Sequence, residues 1–154
     1  MAINAMNRRQ VLAMIPLALA LPRLVRAEGL KIAVTKDPTC GCCENWVKHL
    51  KDNGFQATVT ESSDMDAVKN SHNIPKAARS CHTGIVDGYV IEGHVPAADI
   101  KRVLKDRPAV IGLAVPGMPV GSPGMESSTG RLQPFDVLTF DKMGRTSVFA
   151  SYGR

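Results

Sequence analysis

Apolar and polar residues along the chain follow the periods of strands and helices. Residues 30–35 form an apolar, β-branched run typical of a buried strand. Residues 44–53 place their apolar side chains on one face of a helix. Residues 55–60 predict a second strand, and a second helix is expected to begin at Ser63 or Asp64, both of which suit an N-cap. The first half of the chain is therefore predicted to form strand, helix, strand, helix.

Two more strands and a third helix are expected next. Residues 81–86 are predicted to begin a third strand and residues 89–92 to return as a fourth, separated by Asp87-Gly88, a strong signal for a hairpin turn. A helix is expected to follow from Pro96, because proline suits a first helical turn. The complete order βαβαββα is that of a thioredoxin-like α/β domain.

The remaining residues are predicted to form a loop and a β-hairpin. Residues 115–128 are rich in proline and glycine, which favours a loop. Residues 135–140 and 146–152 have the composition of strands and are separated by a short turn. We therefore expect residues 28–154 to form a single thioredoxin-like domain that ends in a C-terminal β-hairpin.

Residues 1–27 have the composition of a bacterial export signal, which is removed on processing. Arg8 and Arg9 precede a short apolar stretch, and Ala27 supplies the small residue expected before a cleavage point. The arginine pair is also typical of twin-arginine signals, although general secretory signals often begin with two basic residues. The apolar stretch is shorter than the ~20 residues that span a bilayer, so no membrane span is expected after processing.

The charge of the chain argues against nucleic-acid binding. The chain has 19 Lys and Arg residues and 14 Asp and Glu residues. Four of the basic residues and none of the acidic ones lie in residues 1–27, so the remainder is nearly neutral. Phosphate binding needs a basic surface, which this composition does not supply.

The four cysteines are the strongest functional signal. Cys40, Cys42 and Cys43 lie within four residues at the predicted start of the first helix. The helix dipole and unpaired backbone N–H groups favour thiolates there. In a thioredoxin-like fold the third strand begins beside that helix, so Cys81 is expected to face the other three. Four sulfur ligands at one point would suit a soft metal ion.

Two kinds of chemistry use such a group of thiols. Cys40 and Cys43 have the Cys-x-x-Cys spacing of thiol–disulfide oxidoreductases, with Cys40 as the attacking thiolate and Cys43 as its resolving partner. Cys42, between them, would offer wrong pairings in disulfide exchange but could bridge metal ions. Methionine is a weak ligand used mainly by Cu(I), so Met118 and Met125 in the predicted loop favour copper.

Other interpretations of the cysteines stay open. A structural Zn²⁺ site could use four cysteines, but their spacing crowds one edge of a tetrahedron and leaves the methionines without a role. The simplest structural alternative is an ordinary Cys40–Cys43 disulfide with two bystander thiols. The two methionines would then only fill gaps beneath the loop.

The histidines are weaker candidates for metal binding than the cysteines. His82 follows Cys81 on a predicted strand, so its side chain is expected to point to the opposite face of the sheet. His94 precedes the third helix and could equally be a turn residue. His49 is expected to face solvent, and Trp46 is expected to lie in the core or over the site.

Several motifs together resemble the bacterial CopG-type copper-resistance and metal-binding proteins. The matching segments are Cys40-Gly41-Cys42-Cys43, Trp46, Ser80-Cys81-His82-Thr83, Gly93-His94-Val95-Pro96, Gly117-Met118-Pro119 and Gly124-Met125-Glu126. They extend over essentially the whole of residues 28–154.

This resemblance implies a periplasmic, thioredoxin-like domain that binds copper in a cysteine-bridged multinuclear cluster. The cluster ligands would be the four cysteines, Cys40, Cys42, Cys43 and Cys81. Further candidate ligands are Met118, Met125, His82 and His94. The implied role is copper tolerance, in which the protein sequesters or relays Cu(I) or changes the oxidation state of copper. The expected partners are copper ions and a periplasmic copper export pump or chaperone.

Overall fold

The computed structural model describes residues 29–154, so the predicted export signal in residues 1–27 lies outside the described residues. Over residues 29–154 the chain forms seven strands, three α-helices and one short 3₁₀ helix. The strands are β1 (Leu30–Lys36), β2 (Phe55–Glu61), β3 (His82–Val86), β4 (Tyr89–Glu92), β5 (Gly112–Ala114), β6 (Phe135–Phe140) and β7 (Thr146–Tyr152). The helices are α1 (Gly41–Asp52), α2 (Met65–Ser71) and α3 (Ala97–Asp106), and the 3₁₀ helix is Lys76–Ala78. Within this range no helix is long and apolar enough to cross a membrane.

The seven strands of the described range form one mixed sheet in the order β2-β1-β3-β4-β5-β6-β7. Strand β1 is parallel to β2, and β4 is parallel to β5, whereas the other neighbours are antiparallel. Each parallel pair is joined by a crossover helix, α1 in the first case and α3 in the second. The predicted α/β class and the order βαβαββα are confirmed, and the thioredoxin-like assignment stays a prediction.

Strand β5 is missing from the sequence prediction, yet it connects the two parts of the sheet. All three of its residues are buried, and it pairs with both β4 and β6. A Cβ atom on Gly112 would lie 1.8 Å from the Val90 carbonyl oxygen, so only glycine allows this close approach. The signal for β5 is the unbroken apolar run of residues 110–115, because a strand buried on both faces shows no alternation.

Helices α1 and α3 pack in one hydrophobic core with the sheet. Trp46 and Leu50 of α1, Ile100 of α3, and Ile32 and Ile91 of the sheet are almost completely buried. Burial of a large apolar side chain stabilises a fold by about 1.5–3 kcal/mol. This core therefore fixes the position of α1, whose first turn carries cysteines.

The predicted C-terminal hairpin is present as the antiparallel pair β6 and β7. It is held against α3 by Tyr152, whose hydroxyl donates a hydrogen bond of 2.6 Å to Asp99. Arg102 of α3 forms an ion pair with Asp99 and lies over the ring of Phe149, 3.9 Å from its centroid. These contacts join α3 to the hairpin.

Candidate metal centre

The first turn of α1 gathers three of the cysteines. The helix begins at Gly41, three residues earlier than predicted, so Cys40 is its N-cap. Cys42 and Cys43 lie inside the first helical turn. The turn therefore brings three sulfur atoms to the N-terminal end of one helix, as the sequence suggests.

Cys81 completes a cluster with these three residues. The four cysteine sulfur atoms all lie within 4.8 Å of one another. Cys42 Sγ is 3.5 Å from Cys40 Sγ and 3.9 Å from Cys81 Sγ. Cys40 and Cys43 are joined by a disulfide, and Cys42 and Cys81 are free thiols. All four can ligate a metal only after this disulfide has been reduced.

The two candidate methionines differ in their contacts. Met118 Sδ lies 3.8 Å from Cys42 Sγ, and about half of the Met118 side chain is exposed. Met125 contributes backbone hydrogen bonds instead, accepting from the Gly121 N–H and donating to the Ser122 carbonyl, both at 2.8 Å. The structure thus brings Met118 to the sulfur cluster, whereas ligation by Met125 stays a prediction.

The expectation that His82 faces away from Cys81 is wrong. His82 Nδ1 lies 3.2 Å from Cys81 Sγ. Strand β3 begins at His82, so Cys81 lies in the bend before it and does not follow the alternation of side chains along a strand. His82 is fully buried, with its ring centroid 4.2 Å from that of the buried Trp46. The core placement predicted for Trp46 is confirmed.

His94 contacts the same sulfur with a defined tautomer. Its Nε2 lies 3.2 Å from Cys81 Sγ, and its Nδ1 lies 2.8 Å from the Pro123 carbonyl oxygen. A carbonyl oxygen only accepts, so Nδ1 carries the proton and Nε2 presents its lone pair to Cys81. Histidines that bind metals are commonly oriented in this way, with the second ring nitrogen donating to a fixed acceptor.

Both histidines face the sulfur of Cys81. His82 Nδ1 and His94 Nε2 each lie 3.2 Å from Cys81 Sγ. The Cys81 thiol has one proton, and the Nε2 lone pair of His94 can accept it. The group Cys81, His82 and His94 could therefore hold a metal ion through one sulfur and two nitrogens.

Burial keeps these three groups neutral. It raises the pKa of Cys81 to about 12, and the neighbouring Cys42 adds to this effect. Burial also lowers the pKa of His94, and burial is the largest cause that lowers the pKa of His82, which repulsion from a protonated His94 and from Lys69 would lower further. A bound cation would favour the loss of the thiol proton, so metal binding at Cys81 releases a proton.

Gly124 lets the methionine-bearing loop lie directly on the first turn of α1. Its φ is +86°, and a Cβ atom at this position would lie 2.6 Å from the Trp46 nitrogen and 3.1 Å from the Cys42 carbonyl oxygen. A side chain would therefore force the loop away from the helix. The contact places Pro123, the acceptor for His94, at the cysteine end of α1.

Ser80 ties the segment that carries Cys81 to the segment that carries Met118. Its hydroxyl donates a hydrogen bond to the Gly117 carbonyl oxygen. The Gly117 N–H in turn donates to the Arg79 carbonyl oxygen at 3.3 Å. The residues next to Cys81 and Met118 are therefore bonded directly to each other.

A buried ion pair adjoins the same segment. Lys69 Nζ lies 2.8 Å from Glu92 Oε1, and the two side chains are 5% and 0% exposed. Glu92 Oε1 also accepts from the Ser80 N–H at 2.6 Å, and Glu92 Oε2 accepts from the Thr83 hydroxyl at 2.7 Å. The sequence prediction misses this pair because its members come from α2 and β4 and meet only in the fold. The available signal is Glu92 itself, an acidic residue that ends an apolar strand.

His49 does not face solvent as predicted. Its side chain is half-buried, and its Nε2 accepts a hydrogen bond of 3.1 Å from the Ala97 N–H at the start of α3. Burial lowers the pKa of His49. The neutral ring therefore links the C-terminal part of α1 to the N-terminus of α3.

Comparisons with known proteins place the chain among related sequences and structures. A family model described as a protein of unknown function, DUF411, matches residues 78–125. Two solved structures, titled copper resistance protein CopG form 1 and form 2, are each 49% identical to this chain with a TM-score of 0.77. Each match covers 82% of this chain and 100% of that chain. No curated protein matches. The region matched by the family model contains Cys81, His82, His94, Met118 and Met125.

Proposed function

This chain belongs to the family of copper resistance protein CopG, and we propose that it is a periplasmic protein that binds Cu(I) in copper tolerance. The observation that carries the proposal is the cluster of four cysteine sulfur atoms within 4.8 Å of one another. Thiolate and thioether sulfur atoms are soft ligands that select Cu(I). The Met118 thioether, 3.8 Å from Cys42 Sγ, supports copper over zinc.

The proposed ligands are arranged around Cys42. Its sulfur lies close to those of Cys40, Cys81 and Met118. A thiolate with several neighbours at this distance can bridge two or more metal ions, so we propose a multinuclear site. Cys43 provides the fourth thiolate.

Nitrogen ligands complete the proposed site on the side of Cys81. His94 Nε2 presents its lone pair to Cys81 Sγ at 3.2 Å, and His82 Nδ1 lies at the same distance from this sulfur. Met125 remains a further candidate ligand. Copper in this account is the cargo of the protein, which sequesters it or passes it on.

An anaerobic Cu(I) titration of the reduced protein against a competing chelator tests this proposal. We expect several equivalents of Cu(I) to bind, and we expect a variant with all four cysteines changed to serine to lose this binding. Binding that is no tighter than in the four-serine variant would contradict the proposal. One equivalent of bound copper would contradict the multinuclear site, and preferential retention of Zn²⁺ after a copper challenge would support the structural zinc alternative.

A second candidate function is supported by the Cys40–Cys43 disulfide. Reduction of this bond consumes two electrons and two protons and yields two thiols, and reoxidation of the dithiol could reduce two Cu(II) ions to Cu(I). The protein would then be a thiol–disulfide or copper oxidoreductase with Cys40 and Cys43 as its reactive pair. Glutathione-coupled turnover by the copper-free protein, lost in a Cys40→Ser/Cys43→Ser variant, would support this function.

The periplasmic location and a copper pump or chaperone as partner are parts of the same proposal. The location rests on the export signal predicted in residues 1–27, and the partner is proposed from the role in copper resistance that the related structures are named for. Cell fractionation tests the location. A protein that stays in the cytoplasm at its natural expression level would contradict it, and Arg8→Lys/Arg9→Lys distinguishes twin-arginine export from general secretion.

A further inference from the structure

We infer that the buried Lys69–Glu92 pair positions Cys81 and the Met118 segment, with the Glu92 carboxylate as the acceptor that fixes both. For copper this inference rests on the proposed function, but its first test is made without metal. Neither residue touches a cysteine sulfur in the described part of the chain. Both are therefore positioning residues that act through Ser80.

The Glu92 carboxylate accepts three hydrogen bonds, each from a different segment of the chain. Oε1 accepts from the Ser80 N–H at 2.6 Å and from Lys69 Nζ at 2.8 Å, and Oε2 accepts from the Thr83 hydroxyl at 2.7 Å. Lys69 Nζ lies 3.2 Å from the Thr83 hydroxyl oxygen as well. The carboxylate thus joins α2, β3, β4 and the bend before β3.

Stability alone does not explain a buried ion pair at this place. Desolvation of two charges offsets most of their attraction, and apolar residues of similar volume often stabilise a core equally well. An apolar pair, however, has no acceptor for the Ser80 N–H. A buried oxygen acceptor on residue 92 is therefore what holds the backbone of the residue before Cys81.

Ser80 extends the effect of Glu92 to both ligand segments. The Ser80 N–H, next to Cys81 in the chain, donates to the Glu92 carboxylate. The Ser80 hydroxyl donates to the carbonyl oxygen of Gly117, the residue before Met118. Gly93, next to Glu92, packs so closely that an added Cβ would lie 2.5 Å from the Ser80 Cβ. Ser80 is therefore restrained by the hydrogen bond of its N–H, by the hydrogen bond of its hydroxyl and by the close packing of Gly93 against its Cβ.

Two double variants test whether the hydrogen-bond acceptor or the charge of residue 92 holds Ser80. Lys69→Leu/Glu92→Leu, the Leu/Leu variant, removes both charges and the acceptor. Lys69→Leu/Glu92→Gln, the Leu/Gln variant, removes the charges but keeps an amide oxygen for the Ser80 N–H. Neither leaves an unpaired buried charge. Asp99→Asn is the control for lost stability, because Asp99 is a nearly buried carboxylate that bonds Tyr152 and Arg102 and not residues 80–81.

The first readout is the alkylation rate of Cys81 in the metal-free protein, followed by mass spectrometry of its peptide. We expect the Leu/Leu variant to react about tenfold faster than the wild type, because the Ser80 N–H loses its buried acceptor. The Leu/Gln variant and Asp99→Asn are expected to stay within about twofold of the wild type. Equal rates in folded Leu/Leu and Leu/Gln variants would overturn the inference.

The second readout is Cu(I) binding by the same variants. We expect the apparent affinity of the Leu/Leu variant to fall at least about tenfold below that of the Leu/Gln variant. If the wild type itself binds no copper, the proposed function fails while the alkylation comparison still decides the positioning role. If alkylation differs but copper affinity does not, the inference is overturned for the metal site.

Hydrogen exchange on the wild type keeps the inference testable even if the Leu/Leu variant does not fold. The Ser80 amide is expected to exchange as slowly as the paired amides of β3 and β4, because its acceptor is fully buried. Exchange of the Ser80 amide at the rate of exposed loop amides would overturn the positioning role of Glu92.

Discussion

At the scale of single residues, the site is organised around one sulfur atom. Cys42 Sγ lies 3.5 Å from Cys40 Sγ, 3.9 Å from Cys81 Sγ and 3.8 Å from Met118 Sδ. It belongs to the first turn of α1, where the core-buried Trp46 fixes the helix. Cys42, the cysteine between Cys40 and Cys43, therefore has the most central sulfur atom of the four-cysteine cluster.

The two methionines are expected to differ in their effect on copper binding. Met118→Leu should lower the Cu(I) affinity by up to about tenfold, on the order of 1.4 kcal/mol, because it removes a thioether that contacts Cys42. Met125→Leu, in the same loop, should have a smaller effect, because the thioether that contacts Cys42 is that of Met118. Chelator competition measures both variants, and equal losses would show that the contact seen for Met118 does not distinguish the two residues.

The sequence locates the clustered sulfur atoms better than the ring nitrogens beside them. The cysteine spacing alone points to Cys40, Cys42 and Cys43, and the repeated Gly-Met pair in a proline-rich loop points equally to Met118 and Met125. The placement of His82 and His94 beside Cys81 depends on the bend before β3 and on the carbonyl of Pro123, which the sequence pattern does not reveal. Local spacing therefore predicts that the first turn of α1 brings its cysteines together, whereas the positions of the two histidines depend on long-range packing.

At the scale of elements, the loop over residues 116–125 is held on the first turn of α1 by Gly124. Gly124→Ala should lower the free energy of unfolding by about 1–3 kcal/mol, because the new Cβ meets helix backbone and the residue keeps a positive φ. It should also weaken Cu(I) binding, since the loop carries Met118 and the acceptor for His94. Urea unfolding and chelator competition are the two measurements.

Gly130→Ala is the control for this element. Gly130 also has a positive φ, +68°, but no atom lies within 4 Å of an added Cβ. The control should therefore show the backbone cost of a left-handed residue, roughly 1 kcal/mol, without a change in copper affinity. Equal effects of the two variants on copper binding would contradict the positioning role of the loop contact.

Elements with a clear period or a flanking turn signal were predictable, including the fully buried β4 beside Asp87-Gly88, whereas β5 was not. The periods of residues 44–53 and 55–60 locate α1 and β2, and Asp64 caps α2 by accepting from the Ala67 N–H at 2.9 Å. Strand β5 has no polar face, so periodicity gives no sign of it. The start of α1 at Gly41 is also hidden, because glycine and cysteine are weak helix formers whose placement depends on the tertiary fold.

At the scale of the whole molecule, acid should destabilise the metal-free fold through its buried histidines. Burial holds the pKa of His49 below its ordinary value of 6.5, and it does the same for His82 and His94. The unfolded chain therefore binds protons first, so this stability is present above about pH 6.5 and is lost as the pH falls through the folded-state values. Urea unfolding at pH 7.5 and at more acidic pH measures the loss.

His49→Gln separates the contribution that links α1 to α3. The variant should show a weaker pH dependence than the wild type, because it lacks the ring that accepts from the Ala97 N–H only when neutral. His72→Gln, at the C-cap of α2, is the matched control. An unchanged free energy of unfolding between neutral and acidic pH in the wild type would contradict the prediction.

The disulfide at the start of α1 couples the binding of copper to the reduction of the Cys40–Cys43 bond. If Cys40 and Cys43 bind copper as proposed, they do so only in the reduced protein, so every increment of copper affinity also favours the reduced form by the same free energy. Linkage then requires that saturating Cu(I) shift the midpoint potential of this disulfide upward, by about 30 mV for each tenfold preference of copper for the dithiol protein. The apparent copper affinity of the protein is consequently a function of the thiol redox potential of its surroundings.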